Sequence, residues 1–316
     1  MMSRKLGSFQ ERRVVVTGAS GFLGRHVAKA FENVGVKVVP VSRSTGHDLR
    51  VYANAIMAIL EVKPEAIVHL AATVGGIGAN MARPGTFFYD NMLMGLNVVE
   101  AAAKTKTKLI QIGTVCSYPK ICPIPFKEED IWNGYPEETN APYGVAKKAI
   151  LVMCQSYRKE HDLRFGYLIP TNLFGPGDHF EESVSHVIPA LIKRFLEAKE
   201  GRLSKVTCWG TGKATRSFLY VRDAAEAITR ACETLDDDRP INLPGTEEVS
   251  MLVLTKMIAE LTGYDGEIEW DPSKPDGQPR RAVDGTRAKE LLGWEPRTTL
   301  VQGLKETIDW YVGRVS

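Results

Sequence analysis

The sequence predicts an α/β protein: a parallel sheet wound with helices on both faces, followed by a smaller C-terminal substrate domain. Three observations predict it. Short apolar runs alternate regularly with segments of helical spacing through the first half of the chain. Those runs are continuously apolar instead of alternating with polar residues, as strands buried on both faces are. A glycine-rich turn, TGASGFLG, follows the first run directly.

The elements follow in order. RRVVVTG reads as a buried strand ending at a glycine turn, and FLGRHVAKAFENVG as a helix closed by Gly35. VKVVPVS is the second strand, VYANAIMAILEVKP a helix and EAIVHLAA a strand. DNMLMGLNVVEAAAKTK is the next helix and KLIQIGTV the next strand. Between Pro119 and Pro142 the composition turns to Pro, Glu and Asn, which predicts a loop. YGVAKKAILVMCQSYRKEH resumes a long helix, and FGYLIPTNLFGPG supplies a strand and turn. From about Asp178 the expected elements are shorter and broken by Gly and Pro. The expected division is a doubly wound domain over residues 1–177 and about 218–245, with the second domain over about 178–217 and 246–316. There is no internal repeat or low-complexity tract.

Bulk properties narrow the function. The 316 residues suffice for one large core or two modest ones. Forty Lys and Arg against 38 Asp and Glu leave a formal charge of +2, scattered along the chain, so no nucleic-acid footprint stands out. Five cysteines without CxxC spacing predict reduced thiols and no structural metal site. The basic start, MMSRKLGSFQERR, is followed by an apolar run of only Val14 to Val16, too short for a signal peptide. A cytoplasmic protein is expected.

Gly18, Gly21 and Gly24 lie between a strand and a helix, where small residues let the backbone approach a pyrophosphate at the helix N-terminus. No Gly-Lys-Ser/Thr follows, which argues against a nucleotide hydrolase. The second strand ends in Ser42, Arg43 and Ser44, where an acid for the ribose hydroxyls would mark NAD, and Arg43 suits a 2′-phosphate instead. NADP is the expected cofactor and NAD the alternative. Asp48 is a further candidate on the adenine side.

Tyr143 and Lys147 are four apart on one helix face, the only such pair among the ten tyrosines. A phenol with a pKa near ~10 is a poor base unless a neighbouring ammonium favours phenolate, a role open to Lys147. Thr114 ends the strand KLIQIGTV at the carboxyl edge, where its hydroxyl could share a carbonyl oxygen with Tyr143 or simply cap the strand. Cys116 and His186 are candidate base and acid, or packed side chains.

Taken together these segments resemble the extended short-chain dehydrogenase/reductase family, with its Rossmann fold, and within it the sequence is similar to the GDP-L-fucose synthases, GDP-4-keto-6-deoxymannose 3,5-epimerase-reductases. Beyond TGxxGxxG and YxxxK the resemblance rests on AATVGGIGAN, CSYPK, PTNLFGPGDHF, SHVIPALIKRF, CWGTGKATRSFLYVRD and SKPDGQPRR, and it spans nearly the whole chain. It implies catalysis by Thr114, Tyr143 and Lys147, with Cys116 and His186 as epimerisation base and acid. It implies a cofactor bed of Gly18, Ser20, Gly21, Phe22, Leu23, Gly24, Ser42, Arg43, Asp48, Leu49, Ala71, Ala72 and Asn172 together with Tyr143 and Lys147. A GDP-sugar would meet Asn172, His186, Lys193, Trp209, Arg216 and Lys274. A homodimer through the helices near Asn91 to Lys104 and Tyr143 to His161 is also implied.

The chain departs from the subgroup in three places. GTVCSYPK stands for the usual GSSCIYPK, so Val115 replaces a Ser beside the chemistry; Ser20 stands where some members carry Arg; and INLPGT replaces the usual turn around Asn242. A different sugar therefore stays open, as does a 4-epimerase or redox-neutral 3,5-epimerase that retains NAD. A non-catalytic dinucleotide sensor is a third reading, opposed by the intact Tyr143 and Lys147 pair.

Overall fold

The computed structural model describes residues 13–181, 185–274 and 277–315. The basic N-terminal stretch and the Pro275 and Asp276 of SKPDGQPRR lie outside the described residues.

Six parallel strands form the main sheet: β1 (Arg13–Thr17), β2 (Lys37–Val41), β3 (Ala66–His69), β4 (Lys108–Ile112), β5 (Phe165–Pro170) and β9 (Pro240–Leu243). Their order is β2-β1-β3-β4-β5-β9, with every neighbouring pair parallel. The order reverses between β1 and β3, which opens the crevice where such sheets bind ligands, at the carboxyl ends of their strands.

Continuous apolar strands feed both faces. Val14 and Val16 pack with Val27 and Phe31 of α1 (Phe22–Asn33) and with Ala224 and Ile228 of α7 (Val221–Thr234). Val15 turns the other way, onto Ala55 and Ile59 of α2 (Tyr52–Val62), Val98 of α4 (Pro84–Lys104) and Ile150 of α5 (Ala141–His161). A short α3 (Ile77–Ala82) precedes α4.

Two helix starts differ from expectation. The fourth helix begins at Pro84 instead of Asp90, and the fifth at Ala141 instead of Tyr143, each with a proline in its first turn. Proline there lacks only an N–H that has no helical partner anyway, so it opens these helices instead of ending the preceding loop.

A third core lies to one side of the sheet. It gathers Phe174 of β6 (Asn172–Phe174), residues of α6 (Val187–Glu200), and residues of α8 (Met251–Thr262) and α10 (Leu300–Val315). A second sheet runs β10 (Glu248–Ser250), β8 (Thr215–Tyr220), β12 (Arg280–Arg281), with β6 also on β8; β7 (Lys205–Trp209) pairs with β11 (Glu267–Asp271). The helices here are not short: α6 has 14 residues and α10 has 16. Phe174 packs in this third core although it precedes residue 177, and Ala288 and Leu292 of α9 (Thr286–Leu292) pack back against the main sheet. Among the described residues no helix is long and apolar enough to cross a membrane.

Candidate active site

The site begins at the crevice between β1 and β3. Gly18 has φ +67°, and a β-carbon on it would lie 2.9 Å from the amide nitrogen of Ala71. A β-carbon on Gly24 would collide with the Gly18 carbonyl. Only glycine lets the turn close against the end of β3 in this conformation. The Thr17 hydroxyl accepts the N–H groups of Leu70 and Ala71, both at 3.1 Å, and lies 2.8 Å from His69 Nδ1. An oxygen already accepting twice gives its own proton to Nδ1, so the His69 ring is neutral with its hydrogen on Nε2. Burial, with a contribution from the Lys147 charge, pushes that imidazole down to about 3.

This turn fits a dinucleotide. It presents the N-terminus of a 12-residue helix with no side-chain cap and no acidic residue in its first turn, beside a cradle that side chains would fill. Ser20, Gly21, Phe22 and Leu23 carry the chain over the turn and into α1, while Ala71 and Ala72 follow β3 on the other lip. At the end of β2, Ser42 and Ser44 share a hydrogen bond of 2.8 Å, and Arg43 projects into solvent between them. Asp48 is paired with Arg50, whose Nε and Nη2 hold its carboxylate at 3.0 and 2.6 Å and bring it down to about 2. Leu49 is buried in the second core, so toward an adenine it offers backbone only.

The candidate proton-handling residues meet where β4 ends and α5 begins. Thr114 caps a 3₁₀ turn over Val115–Ser117, its hydroxyl accepting the Cys116 N–H at 3.2 Å. The Thr114 side chain also stands beside the Tyr143 phenol, where it acts to lower the phenol's pKa. Gly144 brings α5 against this turn, since a β-carbon there would collide with the Cys116 carbonyl, and Ser117 Oγ donates to the Gly144 carbonyl at 3.0 Å. Val115 does not face the site: it is 5% exposed and packs in the second core, so the substitution beside Cys116 is absorbed by the interior.

Lys147 is 3% exposed and donates to the Ile112 carbonyl at 3.0 Å, with Nζ 6.0 Å from the Tyr143 ring centroid. Burial brings its ammonium down to about 8. The expectation that Lys147 draws Tyr143 toward phenolate is corrected here. Burial, reinforced by Cys116 and only partly offset by Thr114, raises the phenol well above its usual range. Tyr143 is therefore protonated near neutral pH, ready to donate and not to accept.

The opposite wall comes from the second sheet. Arg216 on β8 and Arg281 on β12 are register partners, and Arg281 Nη1 lies 3.8 Å from Cys116 Sγ. Arg281 Nε donates to Gln278 Oε1 at 3.0 Å, and Gln278 Nε2 donates to the Lys120 carbonyl at 2.9 Å, which ties this strand to the CSYPK turn. Trp209 is two-thirds exposed, with Lys274 Nζ 5.8 Å from its ring. Asn172 Nδ2 donates to the Ser217 carbonyl at 3.2 Å. Lys193 pairs with Glu197 on α6 at 3.7 Å.

His186 precedes the first turn of α6, where its carbonyl accepts the Ala190 N–H at 3.1 Å. Desolvation and nearby His179 lower its pKa. Its ring makes no hydrogen bond to Cys116 or Tyr143 among the described residues. Thr114, Cys116, Tyr143 and Lys147 are thus brought together by the end of β4 and the start of α5, while His186 is placed separately, by the chain entering α6. Arg281 was not singled out from sequence; the signal was present as the last residue of SKPDGQPRR.

The glycine turn and the Tyr143 and Lys147 pair lie together inside the stretch that a family model matches. The model of the NAD dependent epimerase/dehydratase family matches residues 14–243. The chain belongs to this family. It is accordingly an NAD(P)-dependent enzyme of the extended short-chain dehydrogenase/reductase class. It is 38% identical over 305 residues to a probable GDP-L-fucose synthase 1 from Oryza sativa subsp. japonica, covering 96% of this chain and 93% of that protein. A GDP-L-colitose synthase from Yersinia pseudotuberculosis is 34% identical over 304 residues, with coverage of 95% and 98%. Among solved structures, a GDP-L-fucose synthetase from Naegleria fowleri bound to NADP superposes with a TM-score of 0.89 at 28% identity, covering 97% and 94% of the two chains.

Proposed function

We propose that this member of the family is a nucleotide-sugar epimerase-reductase of the GDP-L-fucose synthase type. It would epimerise C3 and C5 of a GDP-4-keto-6-deoxyhexose and reduce C4. One observation carries the reading: Thr114 accepts the Cys116 amide and stands beside the Tyr143 phenol, so a proton donor for a carbonyl oxygen neighbours a thiol.

The chemistry follows from that pairing. A C4 ketone acidifies the protons on C3 and C5, and hydrogen bonds from Tyr143 and Thr114 to its oxygen stabilise the enolate. Cys116 removes a proton and His186 returns one on the other face, which inverts the centre. The turn from Gly18 to Gly24 would hold NADPH, which would supply the hydride for C4. The protonated Tyr143 then gives its proton to the forming alkoxide. The in-register Arg216 and Arg281 suit a diphosphate, whose oxygens accept from guanidinium groups in pairs.

Ser42, Arg43 and Ser44 support NADP over NAD, since they offer hydroxyls and a cation for a 2′-phosphate and no acid for the ribose. Exposed Phe88 and Tyr89 on α4 and Val152 on α5 support a homodimer through these helices, and five free cysteines support a reducing cytoplasm. The matched relatives carry the names of different sugars, so the proposal extends to the class of GDP-4-keto-6-deoxyhexose and not to one product.

The test is incubation in heavy water with GDP-4-keto-6-deoxymannose and NADPH, followed by NMR. Deuterium at C3 and C5 with NADPH oxidation is the expected result. Tightly bound NAD that copurifies and is never consumed would favour a redox-neutral epimerase instead.

A further inference from the structure

Two residues just past the glycine turn bind backbone that belongs to the other side of the site. Arg25 Nη1 donates to the Ser20 carbonyl at 3.0 Å, while its Nη2 donates to the Gly177 carbonyl at 2.8 Å. The neighbouring His26 donates from Nε2 to the Pro176 carbonyl at 2.7 Å. Pro176 and Gly177 lie 150 and 152 residues away in sequence from their partners. They sit in the turn GPGDHF, after β6 and before His186.

That turn is held in an unusual conformation. Gly175 and Gly177 have φ of +151° and +87°, and a β-carbon on Gly177 would lie 3.2 Å from Arg25 Nη2. Beyond it, Phe180 stacks on Tyr311 with ring centroids 4.0 Å apart. Ser185 in turn abuts Gly76, where a β-carbon would come within 3.2 Å of the Ser185 carbonyl. Hydrogen bonds from α1 therefore fix the start of the chain leading to His186, and one guanidinium spans both that turn and the glycine loop. Tyr143, Thr114, Cys116 and Lys147 are assembled by β4 and α5, which these bonds do not touch.

We propose that Arg25 and His26 are positioning residues for His186, tying its approach segment to the glycine turn so that epimerisation depends on them more than C4 reduction does. This rests on the epimerase-reductase reading. Loss of the tie lets His186 drift from the ring carbon it must protonate, while the C4 oxygen still meets Tyr143 and Thr114. The keto sugar is then reduced before it is epimerised.

The experiment compares native enzyme with Arg25→Met, His26→Leu and His26→Gln, with GDP-4-keto-6-deoxymannose and NADPH as probes. The readout is the ratio of epimerised to unepimerised reduced sugar by NMR, alongside the rate of NADPH oxidation. In Arg25→Met and His26→Leu the ratio is expected to fall about 3- to 10-fold, the value of one hydrogen bond. NADPH oxidation changes less, and His26→Gln, which keeps a donor, restores the ratio. An unchanged ratio in Arg25→Met with a native thermal midpoint overturns the inference, as does a parallel fall of both readouts. Arg25 is exposed, so Arg25→Met decides the matter even where His26→Leu does not fold. If the native enzyme itself yields no epimerised sugar, the functional reading fails instead.

Discussion

Gly144 and Cys116 meet backbone to backbone: the helix carrying Tyr143 approaches the Cys116 carbonyl so closely that a β-carbon on Gly144 would collide with it. The distance between the phenol and the thiol turn is set by that missing methyl group. Gly144→Ala is expected to push α5 away, lowering kcat about 10- to 100-fold, as displacements near 1 Å do in such sites. The variant should still fold, which circular dichroism checks, with steady-state NADPH oxidation reporting the loss.

Lys147 sets the alkaline limit. Its ammonium, lowered by burial to about 8, is the form that would donate to a nicotinamide ribose hydroxyl. kcat/KM for reduction is therefore full below that value and falls as pH rises through it. Lys147→Arg should move the fall to higher pH. A pH profile of NADPH oxidation that stays level from pH 7 to pH 9 in the native enzyme would contradict this.

Arg281 touches Cys116 from the second sheet and pairs in register with Arg216. Removing its guanidinium in Arg281→Met should raise the KM for the nucleotide sugar about 10- to 100-fold, the worth of a charge-assisted hydrogen bond. NADPH affinity, measured by fluorescence titration, should stay within about twofold of native because the glycine turn is remote from β12.

Asp178 is 6% exposed; its Oδ1 accepts the His179 N–H at 2.8 Å, and its Oδ2 has no partner. Burial raises this carboxyl from 3.8 to about 7. Between those values the folded state holds the proton more tightly than the unfolded chain, so the group's stabilisation is lost as pH rises through about 7. Asp178→Asn keeps the acceptor and removes the charge. It should raise stability at pH 8 by about 1 to 3 kcal/mol, with little effect at pH 4, as denaturant titrations at the two values would show.

Much of the site was legible because its chemistry is local. The turn from Gly18 to Gly24 and the spacing of Tyr143 and Lys147 are consequences of one strand end and one helix turn, so neighbouring letters carry them. Helix starts at Pro84 and Ala141 were misread because proline terminates one context and opens another, and only the following turn distinguishes them. Asp48 was a candidate on the adenine side, and nothing in its spacing announces that Arg50 closes around it.

The sequence by itself determined the doubly wound sheet, the glycine turn and the placing of Tyr143 and Lys147 on one helix, because apolar runs and helical spacing act over a few residues. Tertiary structure alone decided how those residues behave. It half-buried Tyr143 and raised its phenol's pKa, turned Lys147 toward Ile112, and hid Val115 in the core. It also carried Arg281 across 165 residues to Cys116. Ionisation and contact depend on what the whole chain excludes from water, and that is a property no single segment contains.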